Sequence, residues 1–455
     1  MLLGPRFEAF VEQSPVSVMM GGLIERLFHP ERLDRIFEEH AVVQYTRHLP
    51  FSTVGEVLSE VVFDISPSVG AALQRREGQL PVTRRAVYNK LNGIEPTVGR
   101  ALVTESALQL VPVLESLNVR KRPLLPGHRT RILDGNHFAA TEHRLKVLRR
   151  DTAAPLPGQA LAVLDADLRL VRDVIPCEDG HAQERSLLGS VLEMVEKNDL
   201  WMADRNFCTL GFACGIARRK ARFLLRLHAG MPYRNVTKRH KCGRTETGMV
   251  YEERIVIVDP ETGCDVTCRL VTLVLDTPTR EGETELKLIT NLTIKAASAI
   301  RVAELYRKRW TIESMFQDLT THLSCEIRTL AYPKAAVFAF CLALLAWNLM
   351  SILLASLETV HGEDFVKQNV SGYYLSLEIS QVHHGMMIAI PEEHWSVFRT
   401  LTPFALATLL KTLAKKVNLV KYQTHRRGPK TPQPKRRNSG NGQHVATAKL
   451  LCRMT

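Results

Sequence analysis

Thr130-Arg-Ile-Leu-Asp134-Gly-Asn-His137 decides how this chain is read. Ile132 and Leu133 run into an acid and then a Gly-Asn pair. That is the pattern of a short buried strand, residues 130–133, delivering a carboxylate to a sheet edge. Upstream, the basic, Pro-containing stretch Arg120–Gly127 reads as a boundary, and the residues before it read as helical. Pro30–Phe37 places apolar residues at i, i+3 and i+4, and a helix opens at Phe51 with Ser52 or Thr53 as its N-cap. Downstream the pattern turns to β, with strands at Ala160–Leu164 and Leu168–Val174. An amphipathic helix follows over Glu184–Lys197, then strands at Leu200–Ala203 and Arg222–His228.

Three strands, a helix, a strand and a further strand after a connecting helix is the element order of an RNase H-like sheet. The expected fold class is α/β: an RNase H-like mixed sheet with flanking helices, an inserted antiparallel β block and an N-terminal helical domain. The block is read from strands at Arg254–Val258, Thr267–Leu275 and Glu285–Thr290, parted by turn clusters such as Asp259–Gly263. The expected domains are 1–125, helical; 126–228 with 293–420, RNase H-like; 229–292, the β insertion; and 421–455, a basic flexible tail.

The chain has 455 residues, 45% hydrophobic and 24% charged, which excludes a largely disordered, collagen-like or coiled-coil protein. Its nine cysteines are few and odd in number. A disulfide scaffold is therefore not expected, and a reducing cytoplasm is. Met1–Gly22 carries Arg6, Glu8 and Glu12 where a secretory leader would be apolar. The net charge of +13 is local: from His394 to Thr455 there is no acid and there are 13 Lys and Arg, while the rest of the chain is balanced. Such an appendage fits nucleic acid or another anionic surface. Ala335–Ser356 is apolar enough to span a bilayer at ~33 Å, but its flanking charges and its alanines favour a helix buried in an α/β core.

Asp204 follows Leu200–Ala203 as Asp134 follows Ile132-Leu133, so both acids sit where α/β folds build sites. Either alone could be a turn residue. On a helix over 306–317, Tyr306, Arg309, Glu313 and Thr320 share one face beside the apolar Leu305, Ile312, Met315, Phe316 and Leu319. Arg309 and Glu313 could form a plain surface pair. Taken together, two strand-end aspartates and a helical glutamate can hold two divalent ions for phosphodiester chemistry, and Mg²⁺ suits such oxygen ligands.

These residues resemble the DDE transposases of bacterial insertion sequences, of the insertion-sequence-four type, whose signature is Tyr-x2-Arg-x3-Glu-x6-Lys. Tyr306, Arg309 and Glu313 match it, and Asp134 in Leu-Asp-Gly-Asn-His and Asp204 in Ala-Asp-Arg-Asn-Phe look like its two aspartate motifs. The final Lys position holds Thr320, which cannot supply that charge. The resemblance implies an enzyme that binds terminal inverted repeats, nicks with water and joins the freed 3′-hydroxyl to target DNA. It implies Asp134, Asp204 and Glu313 as catalytic and metal-holding residues for Mg²⁺, with Mn²⁺ able to substitute, as two ions. Tyr306 and Arg309 would contact the DNA backbone. Double-stranded DNA, a homodimer on DNA, a cytoplasmic, nucleoid-associated location and no membrane are the implied partners and place. The alternative is a decayed, catalytically inactive copy that only binds DNA.

Arg84, Arg85 and Lys90 lie on a basic helix that ends at Asn92-Gly93, with a second helix after Pro96 running to about Leu110. This suits either a helix-turn-helix DNA reader or a helical hairpin with a solvated basic face. His240, Cys242, Cys264 and Cys268 lack zinc-finger spacing, and Cys264, Val266 and Cys268 alternate as on a strand face. His137 and Arg205 lie beside the aspartates, where either could touch phosphate or merely solvate the strand ends, the second reading being favoured.

Overall fold

The structure is a computed structural model. It describes residues 3–424 and 444–452, apart from 45, 47, 79, 119–122, 139–144, 146–153, 280–281 and 328.

The strands are β1 (Arg129–His137), β2 (Ala154–Leu156), β3 (Gln159–Asp165), β4 (Leu170–Cys177), β5 (Asp199–Ala203), β6 (Arg222–Arg226), β7 (Arg234–Asn235), β8 (His240–Thr245), β9 (Gly248–Val258), β10 (Asp265–Leu275), β11 (Glu285–Thr290) and β12 (His444–Ala446). Ten of them form one sheet in the order β4-β3-β1-β5-β6-β11-β10-β9-β7, with β8 also paired to β9. β1, β5 and β6 run parallel to one another, and β3 and β4 extend the sheet antiparallel on the far side of β1. This is the RNase H-like order. The β block does not stand apart: β11 pairs antiparallel with β6 from Leu288↔Arg226 to Thr290↔Leu224 and prolongs the same sheet. The open backbone groups of β6 explain this, since an unpaired edge strand recruits a partner.

Helices cover the sheet, and one apolar core runs from Phe7 through the sheet to Tyr422. A second core, including Leu133, Trp201, Phe207 and Phe223, lies around the Leu210–Arg218 helix. The Pro333–His361 helix is long and apolar enough to cross a membrane, yet 89% of its most apolar window is buried by protein. Its lone internal amide explains its position. Asn348, fully buried, accepts from Val171 N–H (2.8 Å) and donates to Val171 C=O (2.9 Å) on strand β4. Those bonds satisfy backbone groups of the outermost strand and pin the helix to it.

Several local expectations shift. The Pro96–Ser116 helix runs through Pro112, because Leu110, Val113 and Leu114 are buried and outweigh the local cost of proline. In place of a helix over 184–197 the chain forms a 3-10 turn, Glu184–Leu187, and a short helix, Leu188–Glu193. Asp199 then accepts from Glu196 N–H at 2.9 Å and folds the chain back into β5. Residues 425–443 of the tail lie outside the described residues. Composition alone predicts a flexible end to the tail, but β12 pairs parallel with β2 and Thr447–Cys452 is helical.

Candidate active site at the carboxyl edge of the sheet

β1 and β5 pair in register from Arg129↔Asp199 to Ile132↔Met202. Asp134 lies two residues beyond Ile132, and Asp204 two beyond Met202. Neighbouring parallel strands stand about 5 Å apart, so the common register brings both acids to one edge, side by side. Asp134 lies within β1 rather than after it, opposite Ala162. β3 carries the pairing on to His137 through Gly135 and Asn136, which in sequence look like a turn. Each aspartate has one oxygen held by a nearby backbone N–H. Asp134 Oδ1 accepts from Gly135 (3.0 Å) and Asp204 Oδ1 from Asn206 (2.8 Å).

Tyr306, Arg309 and Glu313 do not share one unbroken helix. Ala299–Arg307 ends, the chain tightens to i→i−3 bonds (Arg309 N–H to Tyr306 C=O, 3.0 Å), and Trp310–His322 begins. The turn drives Arg309 inward. Its guanidinium donates to Asp134 Oδ2 at 3.1 Å and to Glu313 Oε1, one buried cation joining acids from a strand and a helix. Tyr306 packs beneath it, with the guanidinium 5.9 Å from the ring centroid. Tyr306 Oη and Arg309 Nε are buried without a hydrogen-bond partner among the described residues. Thr320 is exposed and donates to Gln317 C=O at 2.9 Å, back onto its own helix.

The electrostatics follow from burial. Desolvation, reinforced by Asp204 and Glu313, pushes Asp134 from 3.8 up to about 7, against the pull of Arg309 and the Gly135 N–H. Burial likewise raises the Tyr306 phenol, with Asp204 adding to it. Nothing in the sequence marked Glu184. Its carboxylate accepts from Asn206 Nδ2 and lies 3.8 Å from His137 Nδ1, and burial, the largest effect, raises its pKa. Arg205 pairs with Glu283, which it shares with Arg226.

Among the described residues, two triads of ligand-type side chains lie within 4.8 Å: His240–Cys242–Glu252 and Glu39–His40–Glu105. Glu252 in the first is already held by buried Arg269 through bonds of 2.6 and 3.1 Å. On the N-terminal helix Arg84–Leu91, Arg84 and Arg85 are exposed, with Arg84 3.0 Å from Glu77. Lys90 turns inward, donating to Leu49 C=O at 2.7 Å and lying over the Phe37 ring.

Residues 125–349 match the transposase DDE domain. The DDE-domain match begins just before β1 and ends inside the Pro333–His361 helix, so it encloses Asp134, Asp204, Arg309 and Glu313. Among solved structures, a piggyBac transposase synaptic complex with hairpin DNA is similar at 10% identity. That match covers 82% of this chain and 81% of that one, with a TM-score of 0.38. No curated protein matches the chain.

Proposed function

We propose that this protein is a DNA transposase of the insertion-sequence-four type that binds the terminal inverted repeats of an element. It cuts the strands with water and transfers the freed 3′-hydroxyl into target DNA. The observation that carries the reading is the meeting of Asp134 and Glu313 on Arg309, with Asp204 at the same sheet edge.

The donor set suits Mg²⁺ or Mn²⁺, being carboxylate oxygens alone. The protein's own cation, Arg309, already stands between two of these acids, which fits a site shaped for positive charge. Asp134, Asp204 and Glu313 would hold the metal. Two bound ions would supply Lewis-acid activation of the attacking oxygen and stabilisation of the leaving one. Asp134 keeps a proton up to about pH 7 and would have to give it up to hold a cation. Tyr306 and Arg309, beside these acids, would contact the DNA backbone next to the scissile phosphate. Arg84 and Arg85, in the N-terminal helical domain, add exposed charge for DNA, and two copies of the chain would bring two element ends together.

A duplex carrying the repeats that flank the coding region tests this. The wild type should nick it with Mg²⁺ or Mn²⁺ and not with EDTA. Asp134→Asn and Glu313→Gln should bind it without cutting. Undiminished nicking by either variant would overturn the assignment.

A further inference from the structure

Glu184 bridges the two backbone segments that carry the aspartates, strand β1 at Gly135 and the turn after β5 at Asn206. On one side its carboxylate covers Gly135: a Cβ built there would stand 1.8 Å from Glu184 Oε1. Gly135 is also the residue whose N–H holds Asp134 Oδ1. On the other side Glu184 accepts from Asn206 Nδ2, and the Asn206 N–H holds Asp204 Oδ1. The next residue repeats the link, since Arg185 Nε donates to Asn206 C=O at 2.6 Å. Asn206 is thus gripped at its side chain and its carbonyl by one short segment while its N–H orients an aspartate. His137 Nδ1 lies 3.8 Å from Oε1.

We infer that Glu184 is a positioning residue that locks β1 at Asp134 to the turn at Asp204, so that the outer oxygens of the two acids face the same point. The role rests on the reading of this edge as a metal site. Groups that orient metal ligands from behind typically govern affinity by about 10–100-fold. Glu184 contributes through the geometry of Gly135 and Asn206 rather than as a ligand, because Oε2 already accepts from Asn206 and Oε1 rests on the Gly135 backbone.

Mn²⁺ binding to the full-length protein without DNA, followed by loss of the free-ion electron paramagnetic resonance signal, tests this apart from activity. The Asp134→Asn variant identifies the site. Glu184→Ala should weaken binding about tenfold. Glu184→Gln keeps an oxygen for Asn206 and should restore most of the affinity. Gly135→Ala, which displaces an intact Glu184, should weaken binding as Glu184→Ala does. Melting in EDTA separates these effects from unfolding, and Gly135→Ala and Asn206→Ala carry the test if Glu184→Ala does not fold. Wild-type affinity in Glu184→Ala would overturn the role. So would a Glu184→Gln variant as weak as Glu184→Ala, since the carboxylate charge would then be what matters. A wild type that binds no Mn²⁺ through Asp134 is a different failure, because it removes the metal site and this role with it.

Discussion

The two ends of β1 and β5 both carry aspartates and treat them in opposite ways. At the amino end, Asp165 accepts from Arg131 and from two backbone N–H groups, those of Asp167 (3.1 Å) and Leu168 (3.0 Å). Asp167 accepts from Leu124 and Thr130 N–H, and Asp199 from Arg129 and Glu196 N–H. Each acid there has its own set of donors. At the carboxyl end, Arg309 alone is shared by Asp134 and Glu313, with Asp204 nearby, and Asp134 is pushed up to about 7. Buried charge must be paired or neutralised. Full pairing at one end makes a fastener, and incomplete pairing at the other leaves room for an external cation. The same residue type therefore holds the fold together at one edge and, in the function proposed above, would serve chemistry at the other.

The largest effect that could break this contrast is a double dissociation. Asp134→Asn should cost about 4 kcal/mol of transition-state stabilisation, roughly a thousandfold in nicking rate, with unchanged denaturant midpoint or a slight gain. Asp165→Asn should leave the nicking rate per folded molecule intact and lower unfolding free energy by about 3 kcal/mol, because Arg131 is left buried without its charge. Equal effects from the two variants would erase the distinction.

The second test is pH. Asp134 titrates near 3.8 when unfolded and about 7 when folded, so between those values the folded state binds the extra proton. Its contribution to stability therefore falls as pH rises through that window. Metal binding has the opposite slope, since the cation must expel the proton. Mn²⁺ affinity should climb by up to about tenfold per pH unit and level off above about pH 7. A flat profile from pH 5 to 8 would contradict the raised Asp134.

The smallest effect concerns Arg309. Arg309→Met should cost about 1.5 kcal/mol in EDTA, the scale of a hydrogen bond to a charged group, and Mn²⁺ should return much of it. Arg131→Met at the other edge should show no such recovery. Chemical denaturation with and without Mn²⁺ reads both.

Much of this was legible along the chain. Alternating and apolar runs marked β1, β3, β5 and β6, and acids after those runs marked Asp134 and Asp204. The 306–313 spacing marked Tyr306, Arg309 and Glu313. What escaped was set by partners far away in sequence. β7 and β8 are short, polar and basic, and they become strands only because β9 offers an edge. Lys90 looks like a solvent-facing cation until Leu49 and Phe37 are seen beside it.

Sequence by itself determined which residue types stand at the ends of which strands, and that the 335–356 stretch would seek an apolar environment. Periodicity and local turn chemistry are written within a few residues, so they survive without a partner. Only the tertiary structure decided that the environment is the protein's own core, with Asn348 bonded to β4, that Arg309 turns inward between two acids, and that Glu184 reaches Gly135 and Asn206 beside the two aspartates. Those outcomes depend on strand register and helix placement. One-residue shifts in register reverse which side chains meet, and nothing in a local window fixes them.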